Sequence, residues 1–254
     1  MSELIKTEAI VLSTTRWHES SKIIHLFSRD AGDIKVLAKG ALRPKSPFRG
    51  VLEAMNHAEV IISHRESRSL QILTSATLLN AFLNIREDLK KTAVGYSILE
   101  LLKKLFPVHE PVKDFFEYLI SLLSALNQSS LPNPEPFLWH FLFRLSETLG
   151  FGWHLAQCQG CRQPPARFPV ALDTQKGGIF CPPCQTAANA SPILLEEEQW
   201  KVLWRFINSP PDTIEHIVDK NFTEFYEYLN DILLKHLMYH TDIPLELNSL
   251  KWYM

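Results

Sequence analysis

The sequence predicts an α+β fold, in which a small closed barrel of five strands precedes an all-helical part that carries an inserted four-cysteine segment. Three observations support this prediction. Runs of β-forming residues come before residue 80, apolar residues recur at helical spacing after it, and cysteine, glycine and proline concentrate in residues 151–192. The predicted parts are a barrel at 1–80, a helical domain at 81–150 and 193–254, and the inserted segment at 151–192.

Five short runs of β-forming residues make up the first part. They are TEAIVLST at 7–14, KIIHLFS at 22–28, IKVLA at 34–38, AEVIIS at 58–63 and LQILT at 70–74. The sequence DAGD at 30–33 supplies a turn, and a long loop precedes the fourth run. A closed barrel leaves no unpaired edges, which favours it over an open sheet. Five strands are typical of the OB-fold, although an SH3-like barrel gives a similar pattern.

From Ala76 onward the apolar spacing predicts helices, and three stripes stand out. The first stripe starts after Asn133-Pro134, which suits a helix start, and ends at Gly150, which suits a helix end. Its members are Leu138, Phe141, Leu142, Leu145 and Leu149. The second stripe is Trp200, Leu203, Trp204 and Ile207. The third, after a capping Asn221, is Phe222, Phe225, Tyr226, Leu229, Ile232, Leu233 and Leu237. Such stripes are expected to pack in a core.

The bulk composition is that of a globular protein of 254 residues, 46% hydrophobic and 21% charged. No apolar run approaches the roughly 20 residues that span a bilayer, and the N-terminus lacks a secretory signal, so we expect a cytosolic protein with no membrane partner. The net charge of −2 combines +3 in residues 1–80, +1 in residues 81–190 and −6 in residues 191–254. The N-terminal part therefore suits a polyanion better than the C-terminal part does.

All four cysteines lie in the inserted segment, as Cys158-x2-Cys161 and Cys181-x2-Cys184 with 19 residues between the pairs. This spacing is typical of a four-cysteine zinc site, because each two-residue gap lets one tight turn aim two sulfurs at the metal. The prolines and glycines of the segment argue against one helix or a regular sheet. We therefore predict one structural zinc ion that holds it. The glycines expected to give these turns a positive φ are Gly160, Gly177 and Gly178.

Other interpretations of the cysteines remain possible at this stage. Cys181-Pro182-Pro183-Cys184 matches a redox motif, although such motifs open a helix after a strand. A catalytic zinc would keep an open position, whereas four cysteines fill the shell. The triplet His57-Ala58-Glu59 matches part of the zinc deaminase signature, but it lies in a predicted strand about a hundred residues before the cysteines. Four reduced cysteines without metal are the last alternative.

A basic loop, residues 39–50, follows the third strand, and no acidic residue lies between Asp33 and Glu53. Cations beside an exposed loop suit phosphates, and Phe48 could stack on a base. The cations of this stretch are Lys35, Lys39, Arg43, Lys45 and Arg49. Lys22 and Arg16, with Trp17 and Arg29, are weaker candidates for the same surface. The alternative is a solvated loop whose charges only keep the barrel in solution.

Several motifs, in this order, resemble the bacterial recombination mediator family RecO. In the barrel they are TEAIVL at 7–12, HESSKII at 18–24, LFS at 26–28, and AKGA at 38–41 with Ser46 and Phe48. In the inserted segment they are LGFG at 149–152, both cysteine pairs, and Gly177-Gly178. The family often has glycine at Ala9 and an acidic residue at Ser21. Some members lack the cysteines, which implies that zinc is not needed for the activity itself.

The resemblance implies a protein of the bacterial cytoplasm and nucleoid that binds single- and double-stranded DNA through the barrel and anneals complementary strands. It implies action with RecR in loading RecA onto DNA coated by single-strand-binding protein, contact with the C-terminal tail of that protein, and an indirect link to RecF. It carries over no catalytic residue.

Two further hypotheses belong to other classes. A zinc hydrolase or nuclease would need an open metal or clustered carboxylates. The longest run of adjacent carboxylates, at 196–198, fits the first turn of a helix, where the helix dipole favours it. An interaction adaptor with incidental DNA contact would rest on the helical domain.

Overall fold

The computed structural model describes residues 3–106, 112–188, 192–218, 222 and 228–252. The chain divides into two compact units, one formed by Met1–Gln128 with Leu247–Met254 and the other by Ser129–Glu246. The four-part division drawn from the sequence stays a prediction. Among the described residues, no helix combines the length and the apolarity that crossing a bilayer requires.

Five strands close into a barrel in the first unit, in the order β1-β2-β3-β5-β4. They are β1 (Glu3–Trp17), β2 (Ser21–Ser28), β3 (Gly32–Ala38), β4 (His57–His64) and β5 (Gln71–Asn80). Neighbouring strands are antiparallel except β3 and β5, which run parallel at Val36↔Gln71 and Leu37↔Ile72. This OB-like barrel, with the helices and clustered cysteines described below, confirms the predicted α+β fold class.

Alternation along the strands decides which side chains face the barrel core. Ile34, Val36 and Ala38 of β3 lie in the core cluster, whereas Lys35 between them is exposed on the outer face. The turn before β3 matches the prediction from DAGD, and Gly32 takes a φ of 60° there. The core is therefore built from the alternate residues that the sequence pattern predicted.

Strand β5 runs further than the sequence indicated. We expected helices from Ala76 onward, but β5 continues to Asn80 and pairs with β4 through Ala58↔Leu78. Leu78 and Leu79 are both exposed. This end of the strand therefore lacks the single buried face by which alternation reveals a strand.

The helices of the first unit are α1 (Leu83–Glu87), α2 (Leu89–Leu105) and α3 (Lys113–Gln128). They cover the barrel near Phe27 of β2, whose ring packs at centroid distances of 4.9–6.2 Å against Phe106, Phe115 and Phe116. A C-terminal 3-10 helix, Asn248–Trp252, lies on α2. There the Ser249 hydroxyl donates to Glu100 at 2.6 Å.

The loop between β3 and β4 ends in a polar anchor. The Asn56 amide donates to the carbonyl oxygens of Gly50 and of the next residue, both at 2.9 Å. Its own oxygen accepts from the Arg86 guanidinium of α1 at 2.8 Å. The same guanidinium donates to the carbonyl oxygens of Ala54 at 2.7 Å and Ala81 at 2.9 Å. Loop, strand β5 and helix α1 are thus joined at one point.

Helix α4 (Glu135–Thr148) opens the second unit and follows the predicted pattern. The Asn133 side chain accepts from the Glu135 N–H at 3.1 Å, which confirms it as a capping group. Gly150 follows the helix with a φ of 88°. Of the predicted stripe, the fully buried members are Leu138, Phe141, Leu142 and Leu145.

A four-stranded sheet in the order β6-β8-β7-β9 occupies the inserted segment and the three residues that follow residue 192, although the prolines and glycines of the segment argued against a regular sheet. The strands are β6 (His154–Cys158), β7 (Val170–Asp173), β8 (Gly178–Phe180) and β9 (Ile193–Leu195). They have three to five residues each. Strands this short show no clear alternation of apolar and polar residues. The prolines and glycines therefore determined the prediction for this segment.

The remaining helices of the second unit that the structure describes are α5 (Glu197–Asn208), α6 (Ile214–Ile217) and α7 (Leu229–Thr241), with 3-10 helices at Pro182–Ala187 and Pro211–Thr213. Glu196 forms a capping box with Gln199 at the start of α5, and Glu197 and Glu198 lie in its first turn. Of the third predicted stripe, Asn221, Phe225 and Tyr226 lie outside the described residues. Its buried members are Phe222, Leu229, Leu233 and Leu237.

Replacing Arg86 by alanine should lower the free energy of unfolding by about 2–4 kcal/mol, because three acceptors lose a charged donor. Urea unfolding of the whole protein measures the change. Arg65→Ala, at an exposed position, is the matched control and should shift stability by less than about 0.5 kcal/mol. Equal effects of the two substitutions would contradict the anchoring role of Arg86.

Candidate nucleic-acid interface and metal centre

The basic loop has a shape fixed by its own backbone. Successive turns close through Arg43 N–H to Gly40 O and Ser46 N–H to Arg43 O, both at 3.0 Å. Gly40 and Gly50 adopt φ values of 70° and 75°, which side-chain-bearing residues rarely take. The Leu42 N–H also donates to Ser20 O at 2.8 Å and ties the loop to the β1–β2 hairpin. The loop therefore holds its form without help from its charges.

The five predicted cations of this stretch are all exposed. Lys35 projects from the outer face of β3, and the other four lie on or beside the loop. Within the described residues no carboxylate lies within 4.0 Å of any of them. Their charges are thus available to phosphates. The residues are Lys35, Lys39, Arg43, Lys45 and Arg49.

The weaker candidates have different surroundings. Lys22 is mostly buried, with 21% of its side chain exposed, and pairs with Glu53 at 3.4 Å. Arg16 lies directly opposite Lys22 in the β1–β2 register, so two like charges share one side of the hairpin. Arg29 forms an ion pair with Glu117 at 3.0 Å. Of the weaker cations, Arg16 is thus the one most open to solvent.

The aromatic side chains are placed differently from what the sequence suggested. Phe48 belongs to the barrel core cluster and is only 8% exposed. A ring packed there does not offer its face to a base. Phe48 instead anchors the loop to the barrel core. Trp17, at the tip of the β1–β2 hairpin, is 43% exposed. The proline and glycine around Phe48 predicted a loop correctly, but they do not reveal that a loop can send one ring inward.

A cavity of about 420 Å³ lies between the basic loop and strand β2. Sequence reasoning missed Glu53 as a member of this site, although it is the acidic residue that ends the basic stretch. Three cations, one carboxylate and several apolar groups line it: Lys22, Ala41, Leu42, Arg43, Pro44, Phe48, Arg49, Gly50 and Glu53.

The four cysteines converge in the second unit, and their sulfur atoms all lie within 4.8 Å of one another. Sγ of Cys161 and Sγ of Cys181 are 3.8 Å apart, which is close to the edge of a tetrahedron with metal–sulfur bonds of about 2.3 Å. Cys158 is buried, whereas Cys161 is exposed. These four residues could hold a metal ion.

The local backbone explains how the sulfurs meet. Cys158 ends strand β6, and Cys181 directly follows strand β8, which pairs with β6. A Cβ at Gly160 would lie 2.9 Å from Cβ of Cys184, so the close approach of the two turns requires glycine there. Of the three glycines expected to take positive φ, only Gly177 does so, at 63°. The site therefore depends on small size at Gly160.

The pKa values of the thiols also explain why the cluster suits a cation. Burial by itself raises the pKa of Cys158, but backbone N–H groups of Cys161, Cys181 and Gly160 donate to its sulfur and lower that pKa to about 6. Burial, followed by hydrogen bonds with the other three thiols, raises the pKa of Cys181 to about 12, and the charge on Cys158 adds to the effect. The thiol of Cys158 therefore ionises readily, and its negative charge opposes the ionisation of the neighbouring thiols. A bound divalent cation would offset this repulsion and deprotonate all four.

The structure bears differently on the deaminase and redox interpretations of the cysteines. His57 of β4 hydrogen-bonds Glu8 at 2.8 Å, and the metal-ligand cluster among the described residues consists of the cysteines without it. Cys181 does follow a strand and open a 3-10 helix, Pro182–Ala187, so the local context alone does not exclude a redox pair. The convergence of a second cysteine pair on the same point is what favours a metal.

The five-stranded barrel with its cation-rich loop, the helices and the four-thiol cluster define an α+β protein with an OB-like barrel and a candidate metal centre. Comparison with family models identifies the proteins that it resembles. Residues 1–82 match the model described as Recombination protein O N terminal, and residues 86–241 match the one described as Recombination protein O C terminal. Together the two matches span nearly the whole chain.

Curated relatives give the same result. The DNA repair protein RecO of Prosthecochloris aestuarii is 29% identical over 198 residues, covering 77% of this chain and 75% of the relative. That of Symbiobacterium thermophilum is 31% identical over 189 residues, 71% of each chain. That of Chlorobium limicola is 24% identical over 246 residues, 94% of this chain and 93% of the relative. The chain belongs to the RecO family of DNA repair proteins.

Replacing Gly160 by alanine should weaken metal binding by the cysteine cluster by at least about tenfold, because the added Cβ collides with Cys184. Titration with Co²⁺, followed by thiolate-to-metal absorption, measures the affinity. Gln163→Ala, at an exposed position after the first pair, is the control. Unchanged Co²⁺ affinity of the Gly160→Ala protein would contradict the close approach of the two turns.

Proposed function

We propose that this protein is a recombination mediator in DNA repair that binds single- and double-stranded DNA and anneals complementary strands without breaking covalent bonds. The observation that supports it is the set of five cations with no carboxylate partner among the described residues, on or beside a loop of fixed shape. Arginine and lysine at such positions contact phosphates and release the counterions condensed on DNA.

Annealing follows from the same charges. Two complementary strands repel each other through their phosphates, and a surface that neutralises several phosphates lowers this barrier while base edges stay free to pair. The loop cations project from the barrel on rigid backbone, so they would hold a strand without reading its sequence through the phosphate contacts. The proposed phosphate contacts are Lys35, Lys39, Arg43, Lys45 and Arg49, with Arg16 beside them.

The proposed partners follow from membership of the family. We propose that the protein acts with RecR to load RecA onto DNA coated by single-strand-binding protein, that it contacts the C-terminal tail of that protein, and that RecF acts indirectly with it. It would work in the bacterial cytoplasm at the nucleoid. In this role the protein needs no catalytic residue.

We also propose that Cys158, Cys161, Cys181 and Cys184 bind one structural zinc ion. Four thiolates fill a tetrahedral zinc shell and leave no position for a substrate or water, which suits structure rather than catalysis. Binding free energies of about 10–16 kcal/mol are typical of such sites. That is ample to order a segment whose strands are only three to five residues long.

Reversing charges at Lys39, Arg43 and Lys45 to glutamate should abolish strand annealing and weaken single-strand binding by at least about a hundredfold, since three phosphate contacts become repulsive. Annealing of labelled complementary strands measures the first effect. The matched control is charge reversal at Lys90, Lys103 and Lys104 of α2, outside the loop. Annealing that survives the loop reversal would instead favour an interaction adaptor with incidental DNA contact.

The wild-type protein should lose about a hundredfold in single-strand affinity between 50 and 200 mM salt. Five phosphate contacts give a slope of roughly −3.5 in a plot of log affinity against log salt. Fluorescence anisotropy of a labelled strand measures it. A flat salt response would rule out binding through the cations, and turnover of DNA that persists through repurification would show an enzyme.

Replacing Cys181 by serine should lower the zinc content and the melting temperature, while the DNA affinity of the folded fraction stays unchanged. The reason is that the predicted DNA contacts lie in the barrel and the ligands in the inserted segment. Metal analysis, thermal melting and anisotropy measure the three quantities. Thr186→Ser, at an exposed position in the 3-10 helix that follows Cys181, is the control. Loss of DNA binding in well-folded Cys181→Ser protein would show that the inserted segment itself contacts DNA.

A further inference from the structure

The cavity beside the basic loop combines three kinds of chemistry. Arg43 and Arg49 supply guanidinium groups, Lys22 and Glu53 form an ion pair, and the side chains of Leu42 and its neighbours give an apolar wall. Its volume of about 420 Å³ falls in the range of small-ligand sites, about 300–1,000 Å³. A ligand that uses every part of this lining carries an anion, a flat apolar face and hydrogen-bonding edges. A nucleotide has all three.

Glu53 is the feature that phosphate binding does not explain. A carboxylate inside a cation-rich cavity repels phosphates and lowers affinity for the DNA backbone. The ion pair with the mostly buried Lys22 uses only one oxygen of the Glu53 carboxylate. The distance from Lys22 Nζ to that oxygen, Oε1, is a long 3.4 Å. The Glu53 side chain remains 53% exposed. It therefore keeps acceptor capacity for a ligand with N–H groups.

We propose that this cavity binds one unpaired guanine nucleotide of a DNA strand, with its base on the Lys22–Glu53 pair and its phosphate on Arg43 and Arg49. The proposal rests on the proposed function and adds a base preference to it. Guanine presents, side by side, the O6 acceptor, the N1–H donor and the N2 amino donor. The ammonium of Lys22 matches O6, and the carboxylate of Glu53 matches the two donors.

The other bases fit this pair less well. Thymine flanks its single N–H with two carbonyl oxygens, which the carboxylate repels. Cytosine and adenine each offer one amino group beside a ring nitrogen that only accepts. Guanine therefore makes one more hydrogen bond than any competitor. In a duplex the same edge of guanine is occupied by cytosine, so the cavity accepts only unpaired DNA.

The test compares short thymidine oligonucleotides that carry one central guanine, one central hypoxanthine, or thymine throughout. Hypoxanthine lacks the N2 amino group and is otherwise identical to guanine. We expect wild-type protein to bind the guanine strand about 5- to 150-fold more tightly than the thymine strand, the range of one bidentate contact, with hypoxanthine between them. Anisotropy at one fixed salt concentration gives the affinities.

Glu53→Gln should reduce the ratio of guanine to hypoxanthine affinity to about one, because the amide accepts one N–H fewer than the carboxylate. The matched control is Glu59→Gln, which removes another ion-paired glutamate of the barrel, bonded to Lys6 at 3.0 Å, and should keep the ratio. Free deoxyguanosine monophosphate as competitor separates the two sources of this ligand. Competition at equimolar concentration would assign the cavity to free nucleotides and overturn the DNA assignment.

Equal wild-type affinity for the three strands would overturn the guanine site, and this comparison needs no variant to fold. That failure remains distinct from failure of the proposed function. With the guanine site absent but the function correct, all three strands bind equally and still show the steep salt dependence. With the function wrong, the salt dependence itself disappears.

Discussion

The hydrogen bonds that Asn56 and Arg86 make with each other and with the backbone are the constraint on which the first unit depends. The amide of Asn56 fixes the end of the basic loop, and the guanidinium of Arg86 fixes Asn56 together with the carbonyl oxygens of Ala54 and Ala81. Because β5 leads into α1 at this point, one cation sets the position of strand, helix and loop at once.

This anchor separates the shape of the loop from its charge. The backbone turns at Gly40 and Arg43, the inward ring of Phe48 and the Asn56 contacts define where the loop runs. None of these contacts uses a side-chain charge of the loop. The exposed lysines and arginines therefore meet an anion without first breaking an internal ion pair, which keeps their full electrostatic contribution for the ligand. Lys22 differs, since Glu53 already compensates the charge of this partly buried side chain.

Much of the fold could be predicted from the sequence because its signals are local. Buried alternation in β3, the Asn133 cap and Gly150 of α4, and the two cysteine pairs are each visible within a few residues. Features that depend on distant partners could not be predicted. The exposed end of β5 has no buried face, the short strands of the inserted segment have no period, and Ser249 meets Glu100 across 149 positions of sequence. The inward turn of Phe48 and the role of Glu53 likewise depend on three-dimensional neighbours.

The basic loop keeps its backbone shape independently of its charges, and this affects how the protein can evolve. Under the proposed function, a lysine or arginine gained or lost there would change the residence time on DNA by a modest factor and leave the barrel intact, so selection would adjust DNA affinity in small steps. Each such step avoids the stability threshold that limits most changes in a protein core. Lineages with different internal salt concentrations would thus adjust the DNA affinity of the same barrel through substitutions in the basic loop alone.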